Sequence, residues 1–307
     1  MTVVSLPEEH WAAALAEVEG VELVVWDMKT TPPRDDIELV VPPYLSNPKR
    51  LARLAELPQL RAVQLVTAGF EHALPYLPAG VALANGRGIH DTSTAELAVG
   101  LAIAAQRGIP DAVRAQECGE WAHLAGLPSL ADRRALIIGY GSIGVEIAKR
   151  LVPMEVSITA VASRTRAGDE IVDTVHGIDE LSDLLPTHEI VFLIVPLTDE
   201  THHLVDADFL ARMPRNALLV NVARGGVVDT DALVDACASG HIRAALDVTD
   251  PEPLPSDHPL WRTDGVLITP HVGGASTAFE PRALRLLRQE LTRFGAGESL
   301  RNVVVTG

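Results

Sequence analysis

Cysteine and aromatic residues are scarce in this sequence of 307 residues. The two cysteines, Cys118 and Cys237, lie far apart and lack metal-ligand spacing, which argues against a disulfide framework and predicts free thiols in a reducing compartment. Aromatic side chains make up only 4%, so the core must be built from Ala, Val, Leu and Ile. The sequence has no signal-peptide pattern and no apolar run that could span a bilayer, so we expect a cytoplasmic protein.

Positive charge is also in short supply, because the formal net charge is −16. An acidic surface repels phosphate backbones and anionic lipids, so the sequence predicts neither a nucleic-acid partner nor a membrane partner. Any site for a small anion must therefore be local, built from a few arginines and backbone N–H groups. The adjacent pair His202-His203 cannot easily face one ion, and we expect no metal site.

Short apolar runs alternate with helical patterns along most of the chain. One series of predicted strands extends from residues 21–26 to 81–84, and a second extends from residues 135–138 to 266–269. This alternation predicts an α/β protein with two doubly wound parallel-sheet domains. Apolar helices over residues 94–106 and 281–294 follow the two series, and we interpret both as crossovers between the domains. The expected binding site is the cleft between the domains.

A glycine-rich loop stands between a predicted strand and a predicted helix. Gly139 permits a tight turn, Gly141 lets the backbone approach a pyrophosphate, and Gly144 lets the helix pack closely on the strand. The helix N-terminus then offers N–H groups and a positive dipole end to the anion. A ligand-free glycine turn is the alternative, but the strand and helix context favours dinucleotide binding. The predicted loop comprises Gly139, Tyr140, Gly141, Ser142, Ile143 and Gly144.

The end of the next predicted strand indicates which dinucleotide binds. NAD-binding chains usually place an acid there, about 20 residues past the last glycine, but this sequence has Ser163, Arg164 and Thr165, followed by Arg166. Hydroxyl and guanidinium groups suit a 2′-phosphate. We therefore predict NADP(H) as the preferred cofactor, with NAD(H) as the alternative. A solvated basic loop would explain the same residues.

Three chemistry-bearing residues follow successive predicted strands. Arg224 could hold a carboxylate and polarise a carbonyl, and His271 could exchange a proton if a carboxylate such as Glu252 fixed its tautomer. Together they supply what reduction of a keto acid requires from a protein. Taken singly, each has an ordinary alternative: a surface ion pair, a capping residue or a solvated loop acid.

These motifs resemble the D-isomer-specific 2-hydroxyacid dehydrogenase family, from about residue 65 onward and most densely over residues 139–274. The resemblance implies that Arg224 binds the substrate carboxylate and carbonyl, that His271 is the acid/base, and that Glu252 is its partner. It also implies that backbone N–H groups of Thr67, Ala68 and Gly69 hold the substrate carboxylate. Further cofactor contacts are implied for Thr94, Val195, Pro196, Thr201, Val222, Ala223 and Asp247, the last orienting the nicotinamide carboxamide.

The resemblance extends to domains, activity and assembly. It implies a flavodoxin-like substrate-binding domain formed by residues 1–92 and 281–307, into which a Rossmann dinucleotide-binding domain of residues 93–280 is inserted. The Ser163–Thr165 stretch resembles the NADPH-preferring glyoxylate/hydroxypyruvate reductase branch. Residues 117–121 correspond to a segment that crosses a dimer interface in the family, so the resemblance implies a homodimer, although an ordinary packed helix explains the same residues equally well.

Two other activities are compatible with this resemblance. A dinucleotide-sensing regulatory or corepressor-like protein would use the same fold without turnover, although the presence of Arg224, Glu252 and His271 disfavours it. A formate-dehydrogenase-like enzyme is disfavoured by Glu252, because that branch has an amide there. The departures from the family pattern, such as Thr249 in place of an aromatic residue, touch none of the predicted chemistry.

Overall fold

The structure is a computed structural model that describes residues 1–44 and 47–306. Buried aliphatic runs form most of its strands, as expected from the scarcity of aromatic residues. The strands are β1 (Thr2–Leu6), β2 (Val21–Val25), β3 (Leu39–Val40), β4 (Ala62–Gln64), β5 (Ala82–Ala84), β6 (Arg134–Ile138), β7 (Ser157–Ala162), β8 (Arg166–Ala167), β9 (Thr174–Gly177), β10 (Ile190–Leu193), β11 (Ala217–Asn221), β12 (Ile242–Leu246), β13 (Val266–Ile268) and β14 (Val303–Val305).

Helices occupy most of the connections between these strands. The α-helices are α1 (Glu9–Ala14), α2 (Asp91–Gln106), α3 (Ile109–Glu117), α4 (Ser142–Leu151), α5 (Leu181–Leu184), α6 (Ala207–Arg212), α7 (Thr230–Ala238) and α8 (Phe279–Gly295). The segment Pro48–Glu56 is a 3-10 helix whose start is capped by Asn47, which accepts a hydrogen bond from the N–H of Lys49 at 3.0 Å.

The chain divides into two compact units: unit 1 is Met1–His90 with Thr277–Gly307, and unit 2 is Asp91–Ser276. The predicted boundaries, after residues 92 and 280, fall within the first turns of α2 and α8. Which unit binds which ligand remains a prediction.

Unit 1 contains a six-stranded sheet in the order β2-β1-β3-β4-β5-β14. The first five strands are parallel, and their order is that of a flavodoxin-like fold, while β14 is antiparallel to β5. Successive strand residues bury opposite faces of this sheet: Val3 packs in one apolar cluster and Val4 in the other.

Unit 2 contains an eight-stranded sheet in the order β8-β9-β7-β6-β10-β11-β12-β13. This is the Rossmann arrangement with added edge strands, so the predicted α/β class with two doubly wound sheets is confirmed. The strand order reverses between β6 and β10, and such a switch point opens a crevice at the carboxyl ends of the strands. Ile137 and Ile138 of β6 pack in different clusters, which lie on opposite faces of the sheet.

The described residues contain neither a membrane-spanning helix nor a cluster of metal ligands. No helix combines the length and apolar character required to cross a bilayer. Within residues 1–44 and 47–306, no three His, Cys, Asp or Glu side chains are grouped so that they could hold a metal ion.

Candidate active site

The carboxyl ends of β11, β12 and β13 lie side by side in unit 2. Asn221, Leu246 and Ile268 are register partners at these ends. The residues that follow each strand therefore emerge at one edge of the sheet, which brings the loop of Arg224 and the turn of His271 to neighbouring positions.

His271 and Glu252 form a direct pair at this edge. The imidazole Nδ1 lies 2.6 Å from Glu252 Oε1, and both side chains are nearly half exposed, at 46% and 45%. A carboxylate can only accept, so Nδ1 donates and the ring presents Nε2 for proton exchange. His271 has a φ of +53°, a left-handed conformation that non-glycine residues rarely adopt and that often occurs at functional sites.

Asp247 holds the turn that carries His271. Its carboxylate is almost fully buried and accepts hydrogen bonds from the Thr269 hydroxyl at 2.6 Å, the Val272 N–H at 2.9 Å and the Gly273 N–H at 2.8 Å. The His271 N–H also donates to the Asp247 carbonyl at 2.8 Å. Asp247 is thus a structural element of the site, in addition to the carboxamide contact predicted for it.

Thr94 lies beside the same turn. A Cβ placed on Gly273 would be 3.4 Å from the Thr94 hydroxyl and 3.1 Å from Asp247 Oδ2. The structure therefore groups Thr94, Asp247, His271 and Glu252 within unit 2.

Arg224 is held by its own loop at the end of β11. Its guanidinium donates to the Ala223 carbonyl at 2.7 Å, and the Asn221 amide donates to the Arg224 carbonyl at 3.1 Å. A side chain at Gly225 would collide with the Thr249 carbonyl oxygen at 1.9 Å. Because Gly225 lacks a side chain, the Arg224 loop can lie against the segment that leads from β12 to Glu252.

The glycine loop after β6 has the shape that a pyrophosphate requires. Gly139 has a φ of +106°, and a Cβ there would lie 2.5 Å from the Ile194 carbonyl oxygen. A Cβ at Gly144 would lie 2.4 Å from the Gly139 carbonyl oxygen, whereas one at Gly141 would meet no non-adjacent atom of the described chain within 4 Å. No side chain caps the start of α4, so the first N–H groups of this helix are open to an anion.

The remaining residues of the predicted loop, and a neighbouring loop, are held by contacts within unit 2. The Tyr140 ring is buried and its hydroxyl donates to Asp169 Oδ2 at 3.0 Å, and burial raises the pKa of Tyr140. Ser142 and Ile143 form the first turn of α4. Thr201, in the neighbouring loop with Val195 and Pro196, donates to the Pro196 carbonyl at 2.6 Å and so closes that loop.

The sequence suggested two arginines of the segment after β7 for a 2′-phosphate, and these two arginines differ in their contacts. Arg166 donates to the Tyr140 carbonyl at 2.7 Å and is therefore engaged within the chain. Ser163, Arg164 and Thr165 are exposed, and Arg164 forms no hydrogen bond or ion pair with the described residues. Arg164 is the guanidinium that remains available to a ligand.

Sequence reasoning missed an acid beside this segment. Glu180 accepts hydrogen bonds from the Thr165 hydroxyl at 3.1 Å, from the Gly177 N–H at 2.9 Å and from His176 Nδ1 at 2.7 Å. The Gly177 N–H and His176 lower the pKa of Glu180 to about 2. Glu180 lies far from the glycine loop in sequence, and only its position three residues after Gly177, typical of a helix-start acid, could have drawn attention to it.

Thr67, Ala68 and Gly69 follow β4 in unit 1 and are partly buried. The Thr67 hydroxyl donates to the Gly69 carbonyl at 2.8 Å, which closes a compact turn.

Val222 and Ala223 are buried between β11 and Arg224.

Comparison with known proteins now identifies the family. A sequence profile of the D-isomer specific 2-hydroxyacid dehydrogenase, NAD binding domain, matches residues 99–273, which is more than half of the chain. The chain belongs to the D-isomer-specific 2-hydroxyacid dehydrogenase family. It is therefore an NAD(P)-dependent oxidoreductase with a Rossmann domain, and the resemblance inferred from the motifs is confirmed.

Members of this dehydrogenase family match most of the chain. A glyoxylate reductase of Thermofilum pendens is 36% identical over 250 residues, covering 78% of this chain and 74% of that protein. The glyoxylate reductase/hydroxypyruvate reductase of Mus musculus is 32% identical over 288 residues, covering 88% and 87%. A D-isomer specific 2-hydroxyacid dehydrogenase from Xanthobacter autotrophicus Py2, crystallised with NADPH and MES, is 30% identical, with a TM-score of 0.81 and coverage of 99% and 98%.

Proposed function

We propose that this dehydrogenase reduces a small 2-keto acid of the glyoxylate or hydroxypyruvate class to its D-2-hydroxy acid. The overall reaction consumes the keto acid, NADPH and one proton, and yields the hydroxy acid and NADP⁺. The observation that carries the proposal is the His271–Glu252 pair, in which the carboxylate fixes the tautomer that leaves Nε2 to deliver the proton.

Each remaining step falls to a side chain or backbone group of this chain. When bound, the nicotinamide ring supplies the hydride that reduces the keto carbon. Backbone N–H groups of residues 67–69 hold the substrate carboxylate, and Arg224 binds that carboxylate and polarises the keto oxygen. His271 holds the proton at Nε2 and transfers it to that oxygen, while Glu252 stabilises the imidazolium from which the proton leaves.

We propose NADPH as the preferred cofactor. Arg164 is exposed and has no partner among the described residues, so its guanidinium can pair with a 2′-phosphate. The Glu180 carboxylate instead disfavours NADPH. It accepts a hydrogen bond from Thr165, so its negative charge lies beside the proposed site of the 2′-phosphate and repels that phosphate. The preference is therefore moderate, and NADH remains a usable substrate.

A keto-acid panel assayed with both cofactors tests this function. Glyoxylate, hydroxypyruvate, pyruvate and phenylpyruvate are each offered with NADPH and with NADH, and formate is offered with NADP⁺ and NAD⁺. We expect the highest kcat/KM with glyoxylate or hydroxypyruvate and NADPH. Tight NADPH binding without turnover on any keto acid would instead favour a dinucleotide-sensing protein, and formate-dependent reduction would favour a formate dehydrogenase.

We also propose that two copies of the chain associate through unit 2. An apolar groove of about 490 Å³ lies between α2 and α3 and is lined by Leu97, Leu101, Ile109 and Val113. Ile109 and Val113 are 45% and 48% exposed, which is costly for aliphatic side chains unless a partner covers them. Trp121, which is 88% exposed, follows four residues after the end of α3.

A further inference from the structure

The carbonyl groups of residues 66–69 all accept a hydrogen bond, and three of the four donors come from the short segment 85–90. A carbonyl oxygen only accepts, so each partner is the donor. The donors are His90 Nε2 to Val66 at 3.2 Å, the Gly86 N–H to Thr67 at 2.7 Å, Asn85 Nδ2 to Ala68 at 2.8 Å, and the Thr67 hydroxyl to Gly69 at 2.8 Å.

Unlike these carbonyl groups, most N–H groups of the same peptides have no hydrogen-bond partner among the described residues. Among the residues that the structure describes, the backbone N–H groups of Thr67, Ala68 and Gly69 have no hydrogen-bond acceptor. The next N–H, that of Phe70, donates to the carboxylate of Glu71 at 2.9 Å. A carboxylate therefore already sits on one member of this row of N–H groups.

Peptide geometry connects these two observations. In a trans peptide the N–H points away from the C=O, so a donor that fixes the carbonyl also fixes the direction of the N–H. Successive N–H groups that converge in a turn form a concave site for an anion. If the Ala68–Gly69 peptide rotated by half a turn, a carbonyl oxygen would replace an N–H and repel a carboxylate.

Gly86 and His90 are placed for close contact with this turn. A Cβ at Gly86 would lie 2.7 Å from the Val66 carbonyl carbon and 2.9 Å from the Thr67 nitrogen, so only glycine fits against that peptide. The His90 ring is buried and stacks on Phe279, with centroids 5.4 Å apart and an interplanar angle of 7°. Packing therefore restrains the imidazole that donates to Val66.

We propose that Asn85 and His90 are positioning residues, which orient the N–H groups of residues 67–69 toward the substrate carboxylate by holding the carbonyls on the other side. This proposal rests on the proposed function, because it takes the keto-acid carboxylate as the ligand of the turn. In this proposal Asn85 and His90 do not contact the substrate, and they act only by fixing the orientation of the peptide planes of the turn.

Asn85→Ala tests the proposal, with Asn302→Ala as the matched control. Asn302 Nδ2 donates to the Arg87 carbonyl at 3.2 Å, so the control removes the same kind of bond from a carbonyl outside the turn. For Asn85→Ala we expect KM for the keto acid and Ki for oxamate, a non-reducible keto-acid analogue, to rise together by about tenfold or more. The KM for NADPH and the Tm should match those of the control.

Two substitutions of His90 provide an independent second test. His90→Phe keeps a ring for stacking on Phe279 but removes the donor to Val66, and His90→Gln keeps a donor but removes the ring. We expect His90→Phe to raise KM for the keto acid and Ki for oxamate, with partial rescue in His90→Gln, and this pair decides the matter if Asn85→Ala does not fold.

Two outcomes are distinguishable. Unchanged KM and Ki in both Asn85→Ala and His90→Phe, with an active parent enzyme, overturn the positioning role alone. A parent that turns over no keto acid defeats the proposed function, and calorimetry with oxamate and the parent, its cofactor bound, then shows whether the turn still takes a carboxylate. Absence of oxamate binding would overturn the positioning role as well.

Discussion

At the residue scale, the His271–Glu252 contact determines what the site can do. The carboxylate binds one ring nitrogen at 2.6 Å, so in the proposed reaction the other nitrogen carries the proton without any rearrangement of the side chain. The left-handed backbone at His271 and the buried Asp247 beneath it add a fixed orientation. A proton donor held in this way requires little reorganisation when a substrate arrives.

Replacement of either member of this pair should slow proton transfer more than it weakens cofactor binding. We expect His271→Asn to lower kcat by a factor on the order of 10²–10⁴, which is typical for the loss of a general acid. Glu252→Gln should cause a smaller loss, because an amide can turn either its oxygen or its NH₂ toward Nδ1 and no longer enforces one tautomer. Exposed Glu19→Gln is the charge-matched control, and equal kcat values in all three variants would contradict the assigned roles.

Glu180 should limit the preference for NADPH. Removal of its charge in Glu180→Gln should raise the ratio of kcat/KM with NADPH to kcat/KM with NADH, and Arg164→Ala should lower it. Because the pKa of Glu180 is about 2, its carboxylate stays ionised above pH 4, so its effect on the ratio should not change between pH 6 and pH 9. A ratio that is the same in Glu180→Gln and the parent would contradict this role.

The sequence predicted the contact of Glu252 with His271, but it did not reveal the partners of Arg166 or Glu180. Arg224, Glu252 and His271 were proposed because each follows a strand end, where a doubly wound sheet places its ligands, and their catalytic roles stay predictions. Engagement of Arg166 by the Tyr140 carbonyl, and the contact of Glu180 with Thr165, depend on tertiary packing between segments distant in sequence. No local pattern reports such contacts.

At the element scale, the turn from β6 to α4 combines two different requirements for glycine. Gly144 is needed for packing, because the Gly139 carbonyl occupies the space that a Cβ at residue 144 would need. Gly141 faces open space instead, so we expect it to matter for the bound ligand and not for the fold. The same residue type would then serve stability at one position and binding at the other.

Alanine substitutions should separate these two requirements. Gly144→Ala should destabilise the protein by roughly 1–3 kcal/mol, because a methyl group would overlap backbone that cannot move freely. Gly141→Ala should leave the free energy of unfolding nearly unchanged and raise the Kd for NADPH. Denaturant unfolding and cofactor fluorescence measure the two quantities, and equal destabilisation by both substitutions would contradict this division.

Strands with long apolar runs were predictable, and short or mixed ones were not. The sequence predicts strands at residues 135–138, 157–162, 190–195 and 217–222, which match β6, β7, β10 and β11 within two residues. It did not reveal β1, β8, β9 or β14; Thr174–Gly177 contains only one aliphatic residue and Val303–Val305 is too short to show alternation. Strands β8, β9 and β14 lie at or next to sheet edges, where pairing with a neighbour decides the structure more than composition does.

At the scale of the whole molecule, the exposed aliphatic surface on α3 contrasts with an otherwise acidic exterior. Chains that repel one another through a net charge of −16 require an apolar or complementary contact to associate. In the proposed dimer, we expect the α2–α3 groove of unit 2 to supply that contact.

Charge placed in this groove should prevent dimerisation. The chain has a mass of 32.8 kDa, so we expect the parent to elute as a particle of twice that mass and Val113→Asp to elute as a monomer. Val152→Asp is the matched control, because Val152 is 51% exposed on another part of unit 2 and should leave the dimer intact. A monomeric parent would overturn the homodimer proposal.

Strand β14 pairs with β5, although all of unit 2 separates them in the chain. During synthesis, residues 1–90 leave the ribosome early, but their sheet has an open edge until β14 follows. Helix α8, which supplies Leu287 and Leu291 to the unit 1 core, also arrives late. The nascent chain should therefore hold a finished unit 2 while unit 1 is still incomplete, and a ribosome that stalls before residue 277 should leave a product that chaperones bind through the first ninety residues.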